Sequence, residues 1–81
     1  MIIHKSLLNE YRIKKTTYSN NEVAYSIEIK RRSFFISYWI TKDLPSLVLA
    51  SDITHIERYL KMIIEEDNRF FYLQKFKEEY L

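Results

Sequence analysis

Eighty-one residues without a cysteine or a glycine, and with a single proline, are too few to divide a core between two domains. Apolar residues at 47% exclude a disordered chain, missing thiols exclude disulfides and thiolate metal sites, and missing glycines exclude the Walker and dinucleotide phosphate loops. Net charge is only +2, but residues 1–42 hold eight Lys/Arg against three Asp/Glu, while residues 43–81 hold five against eight.

One domain spanning residues 1–81 is therefore expected. The charge asymmetry suits a basic sheet neutralised by an acidic helix, or a basic surface for nucleic acid and an acidic one for a basic protein. No apolar run approaches the roughly 20 residues that cross a bilayer. The start, Met1-Ile2-Ile3-His4-Lys5, lacks the charged segment and long apolar stretch of a signal peptide. These features predict a cytoplasmic protein with no membrane partner.

Residues 7–18 read as a strand, with Leu7, Tyr11 and Ile13 on one face and Glu10, Arg12, Lys14 and Thr16 on the other. Ser19-Asn20-Asn21 supplies turn chemistry, because asparagine tolerates the left-handed region best among non-glycine residues. Residues 22–30 form the second strand, Val23, Tyr25, Ile27 and Ile29 alternating with Ala24, Ser26, Glu28 and Lys30. Lys30-Arg31-Arg32-Ser33 is then expected to reverse the chain in a loop built on a type I turn. Residues 34–41 form the third strand, with Phe34, Ile36, Tyr38 and Ile40 on one face and Phe35, Ser37 and Trp39 on the other.

After the loop at Lys42-Asp43-Leu44-Pro45, the apolar run of residues 46–50 fits a fourth strand or a buried helical turn. Ser51 or Asp52 can cap a helix, and Thr54 with Glu57 has capping-box spacing. Ile53, Ile56, Leu60, Ile63 and Ile64 then make one stripe at helical spacing. Asp67 would continue that stripe, so the helix is expected to end near Glu66, with Phe70, Leu73, Phe76 and Tyr80 on a short second helix. The fold class is α+β: a three- to four-stranded antiparallel meander followed by a C-terminal helix and a short second helix. Tyr11, Ile13, Val23, Tyr25, Ile27, Ile29, Phe34, Ile36, Tyr38 and Ile40 are the sheet's expected share of the core.

Chemistry-bearing patterns are sparse. Ser51, Asp52 and His55 crowd one helix start, where such residues cap more often than they catalyse. Glu28-Ile29-Lys30 with Glu10 imitates a nuclease acid and E-x-K pair, but charged strands produce that pattern readily. His4, His55 and scattered carboxylates are too few to predict a metal site. No catalytic residue and no cofactor is expected. Ile56 to Lys61 imitates part of a recognition helix, yet the helix that should precede it would contain Pro45.

What remains is a surface. Arg12, Lys14, Lys30, Phe35 and Trp39, rimmed by Arg31 and Arg32, mix aromatics with cations on the sheet face away from the helix. That mixture serves protein hot spots and single-stranded nucleic acid alike. Tyr59, Met62, Glu65, Glu66 and Asp67 on the helix are the second candidate surface, because acids at a helix C-terminus are disfavoured by the dipole.

The size, the glycine-free composition with its bias toward Ile, Lys, Asn, Tyr and Phe, and the sheet-then-helix order resemble the small inhibitor proteins of phages and mobile elements, the anti-CRISPR type among them. The resemblance covers the whole chain and rests on no motif. It implies a non-enzymatic inhibitor that binds a host protein or nucleoprotein complex stoichiometrically. A single-stranded nucleic-acid module and a homodimeric structural or assembly protein are the alternatives.

Overall fold

In the computed structural model, residues 2–74 and 79 are described. Four strands, β1 (His4–Lys5), β2 (Glu10–Thr17), β3 (Val23–Ser33) and β4 (Ile36–Lys42), form an antiparallel sheet in the order β1-β2-β3-β4. One helix, α1 (Ile53–Gln74), follows. The α+β class and the meander are as the alternation implies. Asn21, at φ 67°, takes the left-handed position of the β2–β3 turn, closed by the Tyr18 amide donating to the Glu22 carbonyl at 2.8 Å.

Several boundaries differ from the sequence reading. β2 begins at Glu10, and residues 6–9 form a loop in which the Ser6 hydroxyl accepts from the Leu8 and Asn9 amides. Leu7 is consequently exposed. β3 runs straight through Lys30-Arg31-Arg32-Ser33, and Ser33 pairs with Ile36. The reversal is therefore a two-residue turn at Phe34–Phe35, not a type I loop over the basic run. Phe34 and Phe35 thereby leave the third strand.

Residues 46–50 are not a strand. Val48 donates to the Pro45 carbonyl at 3.0 Å and Asp52 to that of Leu49 at 3.1 Å, the Ala50 carbonyl accepts from the Tyr25 amide, and Val48 packs against the core. The fourth strand is instead β1, two residues that pair with Glu10 and Tyr11.

Asp52 caps the helix: its Oδ1 accepts from the Thr54 amide at 2.9 Å and its carbonyl from the Ile56 amide at 3.2 Å. α1 does not end near Glu66 but passes through Asp67 and Asn68 to Gln74, so Phe70 and Leu73 belong to the same helix. Phe76 and Tyr80 lie outside the described residues.

Tyr11, Ile27 and Ile29 of the sheet meet Ile56, Leu60 and Ile63 of the helix in one buried cluster, flanked by Ile13, Tyr25, Leu44, Val48, Tyr59 and Ile64. Each fully buried aliphatic side chain contributes about 1.5–3 kcal/mol. The cluster lies over β2 and β3. Ile36, Tyr38 and Ile40 share its face of the sheet, since Ile29 pairs with Ile40, yet they remain 69%, 44% and 41% exposed. Together with Phe34 they correct the expected core: the helix covers two strands and leaves β4 open. Val23 is half-buried outside the cluster.

Candidate protein-binding surface

The pairing of β3 with its neighbours is unequal. With β2 it ends at Tyr11 opposite Ile29, whereas with β4 it continues to Ser33 opposite Ile36. Residues 30–33 and 36–39 thus project as a two-stranded ribbon beyond the rest of the sheet. Beneath it lies a cleft of about 510 Å³ lined by residues 6–10 and by Lys30, Arg31 and Arg32.

Phe34 and Phe35 form the ribbon's tip, and both are fully exposed. Phe34 has a φ of 54°. A bulky residue with positive φ is a conformational outlier costing about 1–3 kcal/mol, usually avoided by placing glycine there. No glycine exists in this chain to take the position. Behind the tip, Arg31 and Arg32 are exposed on opposite faces of the ribbon, Arg31 level with Tyr38 and Arg32 with Ser37. Apolar rings therefore stand forward, with a cation on either side.

The face away from the helix is organised differently. Arg12 donates from Nε to Glu28 Oε1 at 2.7 Å, and its guanidinium carbon sits 4.3 Å from the centre of the Trp39 ring. Glu28 is buried. Next to this stack, Glu10 lies 3.4 Å from the Lys30 ammonium and 3.7 Å from that of Lys5. The hydrogen bond from Lys30 and the surrounding cations hold the Glu10 carboxyl below its ordinary range. Glu28 and Lys30 of the Glu-x-Lys pattern each pair across strands, with Arg12 and Glu10 respectively. Comparison with known proteins finds no family model, no curated protein and no solved structure that matches this chain. Function must be argued from these surfaces.

Arg12, Lys14, Lys30 and Trp39 lie on the face the alternation assigned them, but the structure does not bring Phe35 or Arg31 to it. Phe35 sits in the turn, and Arg31 has the parity of the helix side. Arg12 lies over Trp39, which is half-buried. On the helix, Tyr59 packs against the core while Met62 borders a shallow depression of about 280 Å³ with Val48, His55 and Arg58. Glu65 and Glu66 are exposed.

Asp67 turns inward and is a structural residue. Its Oδ2 accepts from the Tyr11 hydroxyl, from Ser6 Oγ at 2.8 Å and from Asn9 Nδ2 at 3.1 Å. Asn68 Oδ1 accepts from the Leu7 amide at 2.8 Å. The pair fastens the β1–β2 loop to the helix.

Burial, reinforced by the bond to Asp67, pushes the Tyr11 hydroxyl well above the ordinary tyrosine range. The folded state therefore keeps this proton above pH 10 while the unfolded chain gives it up. The contribution to stability is complete below about pH 10 and declines as pH rises beyond it. Melting temperatures of wild type and Tyr11→Phe between pH 8 and 11 should converge with rising pH. A constant difference would refute the assignment.

Phe34 is the residue that sequence reasoning missed, having been assigned to the core. Ile29 and Ile40 have opposite parity in sequence number, so a hairpin that places them on one face needs an even number of loop residues. Parity admits four residues at 30–33 as readily as two at 34–35, and only the pairing of Ser33 with Ile36 selects the latter.

Proposed function

We propose that this chain is a non-enzymatic binding protein whose β3–β4 hairpin inserts Phe34 and Phe35 into an apolar pocket of a partner protein. Arg31 and Arg32 then meet acidic groups at the pocket rim. The observation that carries this reading is the tip itself: two adjacent phenylalanines, fully exposed, one in a backbone conformation that disfavours it. Folding gains nothing from either ring, and strain of this kind concentrates where function requires it.

Occupying a host protein or nucleoprotein complex one to one, as the resemblance to phage inhibitors implies, is the proposed purpose of the contact. The charge on Arg31 and Arg32 acts mainly on association rate and salt dependence. Nucleic acid is the weaker alternative, because stacking on the sheet needs open aromatic faces and Arg12 lies over the Trp39 ring.

Capture from a bacterial lysate with wild type and with Phe34→Gly/Phe35→Ala as bait tests the proposal. A partner held by wild type should be retained at least 30-fold more weakly by the variant, a loss of about 2 kcal/mol or more. The variant's melting temperature should not fall, since glycine accepts the positive φ. Equal capture by both baits, or binding of single-stranded RNA or DNA that weakens steeply with salt, would overturn the reading.

A further inference from the structure

We propose that the outer edge of β4 pairs antiparallel with β4 of a second copy about a two-fold axis at Trp39, giving a continuous eight-stranded sheet. The inference does not rest on the hairpin-tip reading, because both Phe34–Phe35 turns lie beyond the paired segment.

The two edges of the sheet are unequally guarded. β1 is only two residues long and carries Lys5, the short and charged edge that proteins use to prevent strand addition. β4 is seven residues long, and Ile36 to Thr41 contains no charge, no proline and no bulge. Among the described residues nothing pairs with its outer side.

The hydrogen-bond phase of that edge follows from the register. In a two-residue hairpin the flanking pair Ser33–Ile36 exchanges both backbone bonds, and bonded pairs alternate thereafter. Ile36, Tyr38, Ile40 and Lys42 therefore bond to β3, while Ser37, Trp39 and Thr41 point their amides and carbonyls outward. The Tyr25 amide, bonded at 2.7 Å to the Ala50 carbonyl on the β4 side, has the phase this alternation requires of odd-numbered β3 residues.

An axis at Trp39 sets Trp39 against Trp39 and Ser37 against Thr41 twice, so all three outward donors and all three acceptors of each copy are satisfied. On the helix side Tyr38 then lies opposite Ile40, an aromatic against a β-branched residue, and on the other face serine lies opposite threonine. Both are favourable cross-strand pairs. No like charges oppose each other.

Ile36, Tyr38, Trp39 and Ile40 offer on the order of 400 Å² per copy, taking 150–250 Å² for a whole aromatic side chain. That is about half of what a standard interface covers on each partner. A contact of that size makes the dimer weak and reversible.

Sedimentation equilibrium from about 1 μM to 1 mM should show the mass rising from one chain to two. Ser37→Lys/Thr41→Lys puts lysine opposite lysine at both ends of the pairing, on exposed positions. It should stay monomeric at 1 mM and melt as the wild type does at concentrations where that is monomeric. Trp39, the chain's one tryptophan, should change its emission on dilution in step with the mass of the wild type. A wild type that is monomeric at 1 mM, a double-lysine variant that still dimerises, or emission constant while the mass halves would overturn the proposal. The emission measurement needs no variant and decides the matter even if the lysines unfold the chain.

Discussion

Ile56→Asp is expected to leave the chain unfolded at 25 °C. Ile56 is fully buried, and with Leu60 and Ile63 it supplies the helix's contact with Ile27, Ile29 and Tyr11. Removing its aliphatic body costs about 2 kcal/mol or more, and an unpaired carboxylate in that position adds several more unless it protonates. A chain of this size has about 4–12 kcal/mol of stability in total. Among the described residues only six form the buried cluster, so little packing remains to absorb the loss. Arg58→Asp, two residues along on an exposed position, should change stability by no more than about 0.5 kcal/mol. Far-ultraviolet circular dichroism of the two variants makes the comparison. Cooperative melting of Ile56→Asp near the wild-type temperature would mean that the helix does not close the core.

The legible parts of this fold are those with a period. Alternation located β2 and β3, and the spacing of Ile56, Leu60 and Ile63 located the helix and its inner face, because burial on one side forces a repeat. β1 has no period to read: two residues, His4 and Lys5, become a strand only because Glu10 and Tyr11 offer them partners. The run of residues 46–50 is apolar because Val48 packs on the core, a requirement that a loop can meet as well as a strand. Alternation also says which face a side chain occupies but not how far a single helix reaches across that face. Ile36, Tyr38 and Ile40 were therefore read as core when they border it.

The candidate site was legible in part for the same reason. Arg12, Lys30 and Trp39 have the parity of the open face, but parity could not show that Arg12 would lie over Trp39 while bonding to Glu28. The turn at Phe34–Phe35 was hidden because turn prediction relies on glycine, asparagine and proline, and none of them occurs between Val23 and Lys42. Strained turns have no local signature of their own.

Asp67 shows most clearly where local reasoning stops, and its replacement by alanine should destabilise the fold by about 2–4 kcal/mol. Within the helix stripe an acid looks like a breaker, since an unpartnered carboxylate cannot enter a core. The partners lie more than fifty positions away in sequence: the Tyr11 hydroxyl, Ser6 Oγ and Asn9 Nδ2 all converge on one carboxylate oxygen. Hydrogen bonds to a charged group contribute about 1.5–3 kcal/mol, and a buried donor left without its acceptor loses its desolvation energy as well. Tyr11 is almost wholly buried, so its hydroxyl has little access to water as a substitute. The same loss should release the Ser6–Asn9 loop and with it the two-residue pairing of β1, which native-state hydrogen exchange would detect at His4, Ser6 and Tyr11. In urea titrations Glu66→Ala, one position away and exposed, serves as the comparison. A double-mutant cycle of Asp67→Ala with Tyr11→Phe should give a coupling energy above about 0.5 kcal/mol, as residues in one hydrogen-bond network do. If Asp67→Ala instead matched Glu66→Ala in stability, the carboxylate would not be the clasp between the N-terminal loop and the helix.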